Sequence, residues 1–223
     1  MNLSHPAEDM EVILQEICES CRRLYARNLL AGGDGNVSWR FPDGRIAMTP
    51  SGVSKRGLRP GDLAWLSLEG EVLLGSPSSE RLMHLAVYRA CPEARCVVHA
   101  HPPTTIAWTL ARPEWDELPS GAMPEVILAA GRIPVVPYAR PGTPALGESL
   151  IPHLPAHRLL ALARHGGLAW GESLEEACNG MERLEHICQI LKTAQDLGGF
   201  TELPPEEREV LRVRRAAMGP RLL

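Results

Sequence analysis

The sequence predicts an α/β fold of the α+β type, a largely antiparallel sheet covered by helices, formed by one domain over residues 1–223. Three observations predict it. Some stretches repeat apolar residues at helical spacing, while others carry short continuous or alternating apolar runs. Two pairs of these short runs are joined by tight polar turns, the pattern of antiparallel hairpins. Hydrophobic residues make up 44% of the 223 residues, enough for a core and too many for a disordered chain.

The elements follow in order. Met10, Ile13, Leu14, Ile17, Cys21 and Leu24 give a helical stripe, so a helix is expected over 8–29, ending before Gly32 and Gly33. NVSWR (36–40), PDG (42–44) and RIAMT (45–49) read as a hairpin. DLAWLSL (62–68) and EVLL (71–74), joined by Glu-Gly, read as another. Ser78 or Ser79 caps a helix that runs to about Ala90. RCVVHAH (95–101) is a strand, and PPTTIAWTLA (102–111) a helix that tolerates proline in its first turn. Residues 112–124 form a loop, and EVILAAG fits no single class. IPVVPYA (133–139) is a strand, GTPALGESLIPHL a helix and RLLALAR (158–164) a buried strand. A long helix covers 173–195 and a shorter one 205–217, within a helical tail from about 203.

Composition excludes several functions. A formal charge of −4 gives no basic groove for nucleic acid and no patch for an anionic membrane. No apolar run approaches membrane-spanning length, and MNLSHPAEDMEV does not read as a signal peptide. The six cysteines lie in apolar surroundings, and Cys18 and Cys21 lack the second CxxC of a structural zinc site. A reducing, cytoplasmic setting is expected. There is no GxGxxG and no P-loop.

The chemistry concentrates in VVHAHPP (97–103). Val97, His99 and His101 share one strand face, because residues two apart point the same way. Two neutral imidazoles at a strand end reach one cation. Alone, the pair fits equally well two rings satisfied by backbone carbonyls at a surface turn. A second apolar run ends in His165-Gly166-Gly167. Two such runs converging would supply three protein ligands and an open position, the pattern of catalytic rather than structural zinc. His5, in the N-terminal tail, His84 and His186 in mid-helix, and His153 and His157 beside a proline-containing loop are expected to have ordinary packing or surface roles.

PSSE (77–80) opens a helix, where hydroxyls and free N–H groups suit an anion, although a plain cap fits too. Gly35-Asn36 and Thr49-Pro50-Ser51-Gly52 are two further loops of small polar residues. Three such loops around a phosphate, with a metal to meet negative charge and a carboxylate to move a proton, make a complete site.

The ordered set GNVS (35–38), TPSG (49–52), PSSE (77–80), VVHAH (97–101), IPVVPYARPGT (133–143) and RHGGLAWGESLEEA (164–177) resembles the class II aldolase/adducin family. The resemblance implies a mainly antiparallel sheet of about nine strands between helices, and a homotetramer with active sites at subunit interfaces. It implies that His99, His101 and His165 bind Zn2+, or another divalent metal such as Mn2+ or Co2+. It makes Glu80 the acid/base, and Asn36, Ser51, Gly52, Ser78 and Ser79 the holders of a substrate phosphate. The implied activity is reversible cleavage of a small phosphorylated sugar, a ketose 1-phosphate like L-fuculose 1-phosphate, to dihydroxyacetone phosphate and an aldehyde. A sugar-phosphate 4-epimerase, a dehydratase or a decarboxylase on the same scaffold, and a non-catalytic adducin-like interaction module, are the alternatives. Glutamate at position 80, where the epimerases usually have aspartate, ranks the epimerase below the aldolase. The complete histidine set argues against the module.

The chain departs from the family pattern in two places. Residues 121–125 read Gly-Ala-Met-Pro-Glu and the tail reads MGPRLL, both without the tyrosine that fuculose-phosphate aldolase places there. Arg164 stands where asparagine is common; an arginine there reaches either the substrate or a surface carboxylate, and the carboxylate is the expectation. Lys55 and Lys192, the only lysines, carry no Schiff-base motif.

Overall fold

The structure is a computed structural model that describes residues 10–222. His5 and the first two residues of the expected 8–29 helix lie outside them. Helix α1 (Met10–Ala26) buries Ile13, Leu14, Ile17, Cys18, Cys21 and Leu24 on one face. It stops earlier than expected because Asn28 adopts a left-handed φ of 59° and closes the helix. The chain then forms β1 (Asn36–Arg40), β2 (Ile46–Met48), β3 (Ala64–Leu66) and β4 (Val72–Leu74), followed by α2 (Arg81–Ala90), β5 (Cys96–Ala100) and α3 (Pro103–Ala111). Next come α4 (Pro124–Ala130), β6 (Val135–Val136), α5 (Pro144–Leu150), β7 (Leu159–Leu162), β8 (Gly166–Gly171), α6 (Leu174–Asp196) and α7 (Pro205–Met218).

The strands form one sheet in the order β4-β3-β2-β1-β5-β8-β7-β6. Every pairing is antiparallel except β6 with β7. The described residues hold eight strands rather than about nine. Beyond β6 the sheet continues only as a single antiparallel bridge from Glu117 to Pro134. Pro134 has no N–H to give a ladder, and Pro119 follows closely. Pro134 and Pro137 also cut the expected 133–139 strand to two residues. EVILAAG resolves as the body of α4.

Strand β8 was not foreseen. Its GGLAWG sequence lacks the β-branched signature of a strand, yet it lies between β5 and β7 with all six residues buried. The sheet separates two cores. Cys96, Val98 and Ala100 of β5 pack on one face with Ile17 and Leu24 of α1 and Leu184 and Ile187 of α6. Val97 packs on the other with Met83 and Val87 of α2 and Leu146 and Leu150 of α5. All six cysteines are free and buried. Among the described residues no helix is long and apolar enough to cross a membrane.

Candidate metal centre and anion cleft

Strand β5 places His99 and His101 on the α2 side of the sheet, at the strand's C-terminal end. The β7–β8 turn, residues 163–165, brings His165 beside them, because β8 is the neighbour of β5. His165 thus arrives at the tip of a hairpin. Gly166 explains the glycine after it: a Cβ there would stand 2.3 Å from the Ala100 carbonyl and 3.0 Å from both the His99 and His101 rings. The ring centroids are 5.0 Å apart for His99–His101, 4.7 Å for His99–His165 and 5.3 Å for His101–His165. One nitrogen from each ring lies within 4.8 Å of the other two.

The hydrogen bonds argue for a cation. His99 Nδ1 lies 2.8 Å from the Gly167 carbonyl, to which it donates. In the neutral ring Nε2 is then a bare lone pair. That nitrogen faces His101 Nε2 at 3.1 Å and Glu80 Oε2 at 3.2 Å. Lone-pair atoms gathered this closely need a positive charge among them, a proton or a metal ion. His165 Nδ1 is buried and makes no hydrogen bond. Asp34 Oδ2 stands 3.5 Å from His101 Nδ1, a carboxylate behind the second ring. Burial and the neighbouring His99 and His165 rings push the His101 pKa down to about 4, which favours the neutral, ligating form. The donor set therefore suits a divalent metal of the zinc type.

Glu80 meets the centre from the start of α2, with Oε1 3.1 Å from His165 Nε2 and Oε2 close to His99. Burial works to raise its pKa, but the two facing rings outweigh that and hold the carboxyl below the usual range. Glu80 is itself the N-cap position of α2, so neither serine caps the helix as expected. Instead the Ser78 hydroxyl accepts the Glu80 N–H at 3.2 Å.

The three polar loops do meet. Pro50 and Pro77 form an antiparallel bridge, with Ser51 N–H on the Ser76 carbonyl and Ser78 N–H on the Thr49 carbonyl. A cleft of about 380 Å³ is lined by Asn36, Ser51, Gly52, Ser78, Ser79, Glu80, His101 and His165, and also by Pro141 and Gly142. Asn36 lines the cleft and is also tied to its neighbours. It is 2% exposed, and its Nδ2 donates to Ser78 Oγ at 3.1 Å and to Glu80 Oε2 at 3.0 Å.

Two residues in this region escaped the sequence reading. Lys55 also lines the cleft and is 1% exposed. Its ammonium donates to the carbonyls of Gly33 (2.9 Å), Pro50 (3.1 Å) and Val53 (2.7 Å), tying two of the loops together. Burial lowers its pKa. His84, expected to be ordinary, stands directly behind Asn36. Arg164 makes no ion pair among the described residues; its φ is 60°, and its N–H donates to Thr109 Oγ1 at 2.9 Å.

Comparison with known proteins agrees with this geometry. Residues 15–191 match the family described as Class II Aldolase and Adducin N-terminal domain. A 3-oxo-tetronate 4-phosphate decarboxylase from Escherichia coli K12 is 33% identical over 195 residues, covering 85% of this chain and 90% of its own. A 5-deoxy-D-ribulose 1-phosphate aldolase from Bacillus thuringiensis is 33% identical over 201 residues, covering 88% of this chain and 92% of its own. The crystal structure of YgbL from Escherichia coli superposes with a TM-score of 0.85 at 31% identity, over 91% of this chain and 99% of that one.

Proposed function

The chain belongs to the class II aldolase and adducin family, and from that premise we propose that it is a divalent-metal-dependent carbon–carbon lyase acting on a phosphorylated 3-oxo sugar acid. The substrate is of the 3-oxo-tetronate 4-phosphate kind, and the products are carbon dioxide and dihydroxyacetone phosphate. The observation that carries this reading is the meeting of three imidazoles and one carboxylate at the mouth of a cleft lined by small polar loops.

His99, His101 and His165 would hold the metal, which supplies a Lewis acid for the oxygens of a keto alcohol. Ser51, Ser78 and Ser79 hold the phosphate through hydroxyls, and Gly52 and Ser79 through backbone N–H groups. Loss of the carboxylate as carbon dioxide leaves its bonding electron pair on the neighbouring carbon, delocalised onto the keto oxygen. Glu80 takes up a proton from water and passes it to that carbon, and in the reverse sense the ionised carboxylate removes one from the hydroxymethyl group of dihydroxyacetone phosphate. The metal is zinc, or else manganese or cobalt, and the assembly is a homotetramer with sites at its subunit interfaces.

Two things favour carbon dioxide as the leaving group over the fuculose-type aldehyde. The decarboxylase relative matches 85% of the chain. Aldol cleavage must also take a proton from a hydroxyl of the aldehyde half, whereas decarboxylation needs no such transfer. Residues 121–125 offer no phenol for it. The second reading is an aldolase of the 5-deoxypentulose 1-phosphate type, favoured by the Bacillus relative. Both readings pass through the same carbanion. The deciding experiment gives the metal-loaded protein either 3-oxo-tetronate 4-phosphate, following carbon dioxide and dihydroxyacetone phosphate, or dihydroxyacetone phosphate with short aldehydes, following bond formation. Carbon dioxide release supports the first reading, aldol product alone supports the second, and inertness with both sinks the lyase.

A further inference from the structure

Helix α2 and its N-cap present Glu80, His84 and Tyr88 at four-residue steps, one stripe of a helix. Strand β1 presents Asn36 and Ser38 on one face. The two stripes interlock. Tyr88 Oη is 2.7 Å from Ser38 Oγ, and Ser38 Oγ is 2.7 Å from His84 Nδ1. His84 Nε2 is 2.5 Å from Asn36 Oδ1, and Asn36 Nδ2 reaches Glu80 and Ser78. All of these residues are buried.

Donor and acceptor roles along this chain allow one assignment. The ionised Glu80 carboxylate only accepts, so Asn36 turns its NH2 toward it and its Oδ1 toward His84. Oδ1 only accepts, so the His84 hydrogen sits on Nε2. His84 is neutral, since burial drives its pKa down to about 3. Its Nδ1 is then an acceptor for the Ser38 hydroxyl, and Ser38 Oγ accepts from Tyr88. Reversing the amide would set its oxygen against the carboxylate and leave buried polar groups unpaired.

We propose that His84 is a positioning residue that, in its Nε2–H tautomer, locks the Asn36 amide with its NH2 on Glu80 and so orients the proton-carrying carboxylate. This rests on the reading of Glu80 as the proton carrier. Behind it stand the Ser38 and Tyr88 hydroxyls. Tyr88 Oη is 2.7 Å from Ser38 Oγ and 3.4 Å from its other acceptor, the Arg95 carbonyl, so its proton goes to Ser38 and the tautomer of His84 is set by hydroxyls set back from the cleft. His84 and Asn36 contribute orientation, and neither exchanges a proton with the substrate.

Two arms test it. In the first, ring-nitrogen NMR of the 15N-labelled, metal-loaded protein near neutral pH should show His84 protonated on Nε2 and bare on Nδ1; the opposite tautomer, or an imidazolium, overturns the proposal without reference to activity. In the second, His84→Leu and His84→Gln are compared for hydrogen exchange into dihydroxyacetone phosphate, KM for that compound, and metal content. The leucine variant should lose roughly 10–100-fold in rate, with KM and metal content held within about 3-fold. Glutamine, which keeps a donor facing Asn36, should restore most of the rate. Unchanged exchange in the leucine variant, or equal loss of rate and affinity, overturns the proposal. If the leucine variant does not fold, the glutamine variant and the ring assignment decide. A wild-type protein that exchanges no hydrogen counts against the lyase reading alone, and the NMR arm still decides the amide's orientation.

Discussion

Asn36 stands directly opposite His99 in the antiparallel ladder between β1 and β5. The brace of the carboxylate and the most buried of the three imidazoles are therefore fixed to each other by backbone register. A one-residue slip of β1 against β5 would put the two side chains on opposite faces of the sheet.

This coupling separates two substitutions that look alike. Glu80→Gln keeps the hydrogen-bonding shape and all three rings, so it should retain metal while losing hydrogen exchange on dihydroxyacetone phosphate by roughly 10²–10⁴. His99→Ala should lose the metal itself. Metal analysis of the two purified variants beside the exchange assay checks both, and full metal content in the His99 variant would remove the proposed centre.

Gly166→Ala should be disruptive although it adds one methyl group. The added carbon meets a backbone oxygen that cannot swing aside. We expect a stability loss of about 1–3 kcal/mol, with weaker metal binding because His99 and His101 must move. Thermal unfolding and a metal titration report the two effects.

Lys55→Met should loosen the loops that line the cleft. Among the described residues the ammonium meets three backbone carbonyls and no carboxylate, and Lys55 is the only lysine or arginine that lines the cleft. Its loss should cost roughly 1–3 kcal/mol of stability. Inorganic phosphate should bind more weakly, while a neutral keto alcohol such as dihydroxyacetone is affected less. Equal weakening of both would mean that the charge plays no part.

Acid stability should carry the mark of His84. Its folded pKa is lowered to about 3, against an ordinary value of 6.5. Between these values the unfolded chain binds a proton that the folded one refuses, so stability falls as pH drops through 6.5 and goes on falling toward 3. The slope from this one group approaches about 1.4 kcal/mol per pH unit in mid-range. Urea unfolding at pH 6 and pH 5 should show a smaller drop for His84→Gln than for the wild type.

The histidines of the candidate metal centre were legible in the sequence because each ends an apolar run, and strand spacing fixes where the first two point. The carboxylate and the three polar loops were legible as motifs, and their meeting around one cleft follows from the order of the strands. What hid was what depends on pairing. GGLAWG has no strand signature, and its glycines make sense only once β5 lies against it. The stripe of Glu80, His84 and Tyr88 is visible at helical spacing, but its partner stripe on β1 lies over forty residues away. Lys55 gave no signal, because nothing local marks a lysine whose charge is capped by loop carbonyls.

The sheet keeps the two cores apart, and the imidazoles, the carboxylate and their buried support all hang from the α2 side. The layer built from α1 and α6 is chemically silent by comparison, filled by residues such as Ile17 and Leu191. A designer seeking a hardier version of this protein would repack that silent layer first, choosing positions away from Met181 and Leu184, which back the Gly167 backbone that holds His99.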